Sequence, residues 1–125
     1  MQLDHMILNV NDRAASVAFY TEVLGLAHEG DDEPFSVIRV TPQLMLLLAP
    51  FGSKCDEHLA FSMSRAEFDA VYARLVEKKI PYGDVYDGVG NMRGPGEQRG
   101  ARGPGASLYF FDPSHHLVEI KHYEG

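Results

Sequence analysis

Cysteine is almost absent: Cys55 stands alone, so no internal disulfide can form, and the chain is expected in a reducing cytoplasm. Long hydrophobic runs are missing too. The longest apolar stretches, Leu44 to Pro50 and Val17 to Leu26, fall far short of the ~20 residues that a bilayer span needs, so no membrane partner is expected. The opening Met1-Gln2-Leu3-Asp4-His5 has neither a basic start nor an apolar core, and no secretory signal is expected from it. Basic residues are scarce as well. The 11 Lys+Arg face 18 Asp+Glu, a net charge of −7. So acidic a surface repels phosphate backbones, which argues against nucleic acid as a partner. What is present suffices for one globular domain. With 125 residues, 45% of them apolar, the chain should bury about two-thirds of its unfolded surface and needs no disulfide or structural metal to fold.

Residues 3–10 alternate as a strand, and Asp12 is placed to cap a helix. Val17, Tyr20 and Leu24 share one helical face, with Gly25 as the stop. The acidic stretch Gly30-Asp31-Asp32-Glu33-Pro34 predicts a loop, and Phe35 to Val40 with Leu44 to Ala49 predicts a hairpin. The order then recurs. Glu57 to Met63 is a short strand and Ser64-Arg65-Ala66-Glu67 a capping box. Phe68, Val71, Tyr72 and Leu75 form an apolar helix face, and Ala106 to Phe111 with Leu117 to Tyr123 a second hairpin.

A shift of 53 lays Asp4-His5 on Glu57-His58; a shift of 71 lays Ser36, Pro42 and Leu46 on Ser107, Pro113 and Leu117, and Leu48 on Glu119. The fold class is therefore α+β, a strand–helix–three-strand unit used twice, with module one at about 1–52 and module two at about 56–125. The surplus in the second module is residues 83–105, which hold 8 of the 12 glycines together with Arg93, Arg99 and Arg102. Such a segment is either a functional loop, its arginines closing over an anion, or a solvated excursion.

Even spacing puts His5 with Ile7, His58 with Ala60 and Ser62, and Glu119 with Leu117 and Lys121 on shared strand faces. If the repeats pack as a pseudo-twofold pair, His5 and His58 meet, and Glu119 joins them from the last strand. Two imidazoles and one carboxylate form a set that holds one divalent ion (Fe, Mn, Zn, Ni or Co) and leaves positions open for substrate. The alternative is a Glu119 facing solvent on an edge strand.

These segments resemble the vicinal oxygen chelate superfamily of glyoxalases, extradiol dioxygenases, bleomycin-resistance proteins and fosfomycin thiol-transferases. The likeness lies in Leu3-Asp4-His5, Phe19-Tyr20-Thr21-Glu22-Val23-Leu24-Gly25-Leu26, Glu57-His58-Leu59-Ala60-Phe61, Leu108-Tyr109-Phe110-Phe111-Asp112-Pro113 and Leu117-Val118-Glu119-Ile120. The resemblance implies paired βαβββ modules, a cupped mixed β-sheet with helices on the outer face, and a metal held by His5, His58 and Glu119. It also implies a catalytic role for Tyr109, a substrate contact for Ser107 and a homodimer, sometimes formed by exchanging modules. Glyoxalase I members carry a fourth ligand late in the first module; here that place falls on Leu48 or a neighbour in Leu44-Met45-Leu46-Leu47-Leu48, none of which can ligate. The chain also ends six residues after Glu119, without the basic residue that the fosfomycin transferases carry further on. No His lies between His28 and His58 to serve as an extradiol acid/base.

The function that follows is a metal-dependent, dioxygenase-like or lyase-like enzyme on a small molecule chelated through two neighbouring oxygens. The alternative is a metal-free, bleomycin-resistance-type protein that sequesters a small molecule in a cleft lined by Tyr109, Phe111, Ile7 and Leu48. Lys121 is expected to offset an anionic substrate, or else to be a solvated strand end. Tyr109 is a hydrogen-bond donor or general acid, or else a core tyrosine. His115 and His116 are expected at the surface of the hairpin turn, His122 on the face opposite Glu119, and Cys55 as an incidental thiol.

Overall fold

The computed structural model describes residues 1–124, in two compact units, Met1–Asp56 and Glu57–Gly125. The first runs β1 (His5–Asn9), α1 (Arg13–Ala18), a π-helical turn over Phe19–Val23, β2 (Ala27–Asp32), β3 (Phe35–Thr41) and β4 (Leu44–Ala49). Its sheet has the order β1-β4-β3-β2, with β1 parallel to β4 and the other pairs antiparallel. Asp12 caps α1 by accepting the Ala15 N–H at 2.9 Å, as its position predicts. The wider turn that follows has a local cause. The Thr21 hydroxyl donates to the Val17 carbonyl at 2.8 Å, competing with the helical ladder, and the Leu24 N–H reaches the Phe19 carbonyl at 3.3 Å. Gly25, at φ +78°, then ends the helix.

The expected loop at 30–34 is instead mostly strand. β2 continues to Asp32, and a tight turn at Glu33-Pro34 leads into β3. The acidic run tolerates this because Arg13 reaches from α1 to both Glu33 oxygens at 3.1 Å and to Asp31 at 3.2 Å.

The second unit repeats the plan with β5 (His58–Ser62), α2 (Arg65–Glu77), β6 (Gly96–Gly100), β7 (Gly103–Phe111) and β8 (Leu117–His122), in the order β5-β8-β7-β6. The capping box at Ser64 and Glu67 forms as expected. Phe68, Val71 and Leu75 are buried along α2, whose Phe68 ring meets His122 of β8 edge-on at 4.8 Å. The sheet face on that side carries the fully buried Leu108, Phe110, Val118 and Ile120. Both modules are thus βαβββ units, each with a four-stranded mixed sheet.

Residues 83–105 are not a structureless loop. Gly83 bridges to Tyr109 with two 2.9 Å backbone hydrogen bonds, and the Tyr82 carbonyl accepts from both Gly90 and Met92 at 3.0 Å. The second half of the segment forms β6 and the start of β7. Glycine density suggests freedom, but at Gly83 it serves close approach: a Cβ there would collide with the Gly88 carbonyl.

The backbone pairing also corrects the repeat register in the last strands. Ile7 pairs with Leu47 as Ala60 pairs with Glu119, so the strands superpose with a shift of 72, not 71. A one-residue slip reverses the face of every side chain. Leu47, not Leu48, is therefore the counterpart of Glu119. Leu48 is fully buried on the same face as its partner Leu8, away from Ile7, so it cannot line a cleft with Ile7.

Candidate metal-binding and catalytic site

The second unit presents its polar groups on the sheet face opposite α2. Register sets Tyr109 beside Glu119 and Ser107 beside Lys121 on β7 and β8, and Ala60 beside Glu119 on β5. The expected surface location of the turn histidines holds only for His115, which is exposed and stacks on Phe111 at 3.9 Å. His116 is 1% exposed. Its Nδ1 accepts the Glu57 N–H at 2.9 Å, and the Asp112 carboxylate accepts its own backbone N–H at 2.8 Å. A buried polar ring is tolerated when it is bonded, and these bonds fix the start of β5, where His58 sits.

His58 Nε2 lies 3.1 Å from Glu119 Oε1, with the Glu119 side chain 7% and the His58 side chain 48% exposed. The other carboxylate oxygen is taken. Glu119 Oε2 accepts the Ser107 hydroxyl at 2.9 Å and faces Lys121 Nζ at 3.5 Å. Lys121 also donates to Ser107 Oγ at 2.7 Å and to the Gln98 carbonyl at 3.0 Å, and is 3% exposed. It is a buried cation rather than a solvated strand end. Tyr109 is buried, its ring 6.1 Å from that of His58. Burial, then the Glu119 charge and a hydrogen bond to that carboxylate, push its hydroxyl up to about 12, so it stays protonated at neutral pH.

A cavity of about 370 Å³ opens above this cluster, lined among others by His58, Ser62, Arg99, Glu119, Lys121 and Tyr123. Three of the predicted site residues line it. Ser107 is fully buried and reaches the site through Glu119 and Lys121, while Phe111 stands further along the strand against His115. Tyr123, at even spacing from Glu119 and Lys121, adds a lining residue to those the sequence pattern singles out. Of the three loop arginines, Arg99 lines the cavity and Arg102 lies over the Tyr123 ring at 4.3 Å. His122 lies on the α2 side, as expected.

In the first unit, exposed His5 shares the β1 face of Ile7. Asp4 holds its Nδ1 at 2.7 Å, leaving Nε2 open, the orientation that a carboxylate imposes on a metal-binding imidazole. Within either unit, no three His, Cys, Asp or Glu side chains gather for an ion among the described residues. The donors present nevertheless suit one. Two ligands about 2.1 Å from one ion stand about 3.0–3.4 Å apart at right to tetrahedral angles, and the His58–Glu119 separation of 3.1 Å fits.

Both modules are βαβββ units, and the second carries an imidazole and a carboxylate on one sheet face. The family model of the glyoxalase/bleomycin resistance protein/dioxygenase superfamily matches residues 2–120, and the chain belongs to that superfamily. It is 30% identical to the metallothiol transferase FosB of Shouchella clausii, over 94% of this chain and 77% of that protein. Among solved structures, Oxidase ChaP-H1 is 28% identical at a TM-score of 0.82, covering 99% of this chain and 97% of its own. Oxidase ChaP-H2 is 26% identical at the same TM-score, with 99% and 94% covered. No helix among the described residues is long and apolar enough to cross a membrane.

Proposed function

We propose that this chain is a metal-dependent enzyme acting on a small molecule that offers two neighbouring oxygens, with dioxygenase-like or lyase-like chemistry. One divalent ion, Fe, Mn, Zn, Ni or Co, is held by His5, His58 and Glu119, and the enzyme works as a cytoplasmic homodimer. The observation that carries this reading is the His58 Nε2–Glu119 Oε1 pair, 3.1 Å apart, at the floor of a cavity. When bound, the ion supplies Lewis acidity to a chelated substrate, and iron adds redox chemistry with dioxygen.

The chain's own groups do the rest. Tyr109, kept protonated beside Glu119, donates a hydrogen bond or a proton to a substrate oxygen. Ser107 and Lys121 hold the Glu119 carboxylate, and the Lys121 charge offsets an anionic substrate although its hydrogens are engaged. Phe111 is assigned to the apolar flank of the substrate.

A metal-free, sequestering role is the second reading, and one observation favours it: Lys121 and Ser107 already balance Glu119. The test is a panel of catechols, 2-hydroxyketones and diketones, followed by oxygen uptake and ultraviolet absorbance with each metal. Turnover that vanishes in His58→Ala supports the enzyme. Ligand binding that is equal with and without EDTA, with no turnover, supports the sequestering protein.

A further inference from the structure

We infer that Lys121 is the resident counter-ion of Glu119: a positioning residue that keeps the carboxylate aimed at His58 before any metal arrives, and that weakens the metal's hold once it does. This deepens the reading of the site as a metal centre. All three ammonium hydrogens have acceptors, Ser107 Oγ at 2.7 Å, the Gln98 carbonyl at 3.0 Å and Glu119 Oε2 at 3.5 Å. The ammonium is therefore locked rather than free to follow a ligand. The Ser107 hydroxyl, itself held by Lys121, donates to Oε2 at 2.9 Å. That oxygen is saturated, so Glu119 offers an ion only Oε1, the atom turned to His58.

The polar triad exists only in the module that has the carboxylate. At a shift of 72 the counterparts of Ser107, Glu119 and Lys121 are Phe35, Leu47 and Ala49. A carboxylate that relied on metal alone for its charge balance would be stranded whenever the ion left, because a buried unpaired charge is costly. Lys121 removes that dependence. Its cost is repulsion: a fixed cation on the same carboxylate lowers the site's affinity for a second one. The lysine also ties the ligand to the β6–β7 hairpin through Gln98. Gly100 permits this, since a Cβ there would meet the Lys121 stem and the Tyr123 hydroxyl.

Two measurements test this independently. The first is a double-mutant cycle in EDTA, read as urea midpoints, on wild type, Lys121→Met, Glu119→Gln and the double variant. Lys121→Met should lower the midpoint far more beside Glu119 than in the Glu119→Gln background. Additive effects, or two lysine variants that both fail to fold, overturn the inference. The second is Co²⁺ titration by absorbance. Ser107 still orients Oε2 in Lys121→Met, so that variant should bind roughly tenfold tighter or more despite its lower stability, while Lys121→Arg matches wild type. Equal or weaker binding by Lys121→Met overturns the inference. Absence of Co²⁺ binding in wild type and variant alike overturns the metal reading instead, and the urea cycle then decides the counter-ion alone.

Discussion

Leu47 occupies in the first module the strand position that Glu119 occupies in the second, each paired with the residue two places beyond a module's leading histidine. The half-buried Leu47 and the fully buried Leu48 point to opposite faces. Leu47→Glu should therefore leave a folded protein, whereas Leu48→Glu forces a charge into the α1 side of the sheet and should cost about 3 kcal/mol or more. Urea denaturation of the two variants checks this; the reverse order of stability would restore the shift of 71.

Tyr109 gives an alkaline signature. Its folded hydroxyl is raised to about 12 by burial and by Glu119, above the ordinary tyrosine value of about 10. A raised group stabilises the fold below its unfolded value and loses that contribution as pH climbs, here between about 10 and 12. Absorbance titration near 295 nm should show a late-ionising tyrosine that disappears in Tyr109→Phe and ionises earlier in Glu119→Gln. Tyr72 is also raised, chiefly by its hydrogen bond with Tyr82, and Tyr72→Phe separates the two.

Asp31 acts at the other end of the scale. The Ser36 hydroxyl, then His28 and Arg13, hold its carboxyl below the usual 3.8. Its contribution is present above the unfolded value and fades as pH falls below it. Asp31→Asn should flatten the acid limb of the stability–pH curve by lowering stability at neutral pH while leaving it little changed in acid. An unchanged acid limb would contradict the assignment.

His116 links the hairpin turn to the start of β5. His116→Ala leaves the Glu57 N–H without its acceptor and opens a void, for a loss of about 2–3 kcal/mol. Thermal denaturation measures the loss. The His58 ring signals in NMR should broaden as its strand end loosens.

The two-module plan was legible because it rests on local rules. Asp12 and the Ser64 box mark helix starts, Gly25 marks a stop, and alternation gives the strand faces. What escaped were features set by distant partners. The acidic Gly30–Asp32 stretch pairs as strand because Arg13 reaches it from α1. The glycines of 83–105 mark close backbone contacts as much as freedom. His116 is buried because Asp112 and Glu57 meet it there, which no spacing reveals. The shift of 71 failed by one residue because proline and serine matches in turns do not fix strand register, whereas Ile7–Leu47 and Ala60–Glu119 pairing does. Even spacing set Lys121 on the Glu119 face, the family resemblance pointed to Ser107 and Tyr109, and the Gln98 carbonyl belongs to a strand the sequence hid among glycines.

The central claim is that His5, His58 and Glu119 hold one transition-metal ion. Elemental analysis of protein purified without added metal or chelator tests it most directly, alongside His5→Ala, His58→Ala and Glu119→Gln variants shown by circular dichroism to fold. The account predicts one ion per wild-type chain and its loss in each variant. A metal-free wild type that takes up none of Fe, Mn, Zn, Ni or Co on dialysis would contradict it.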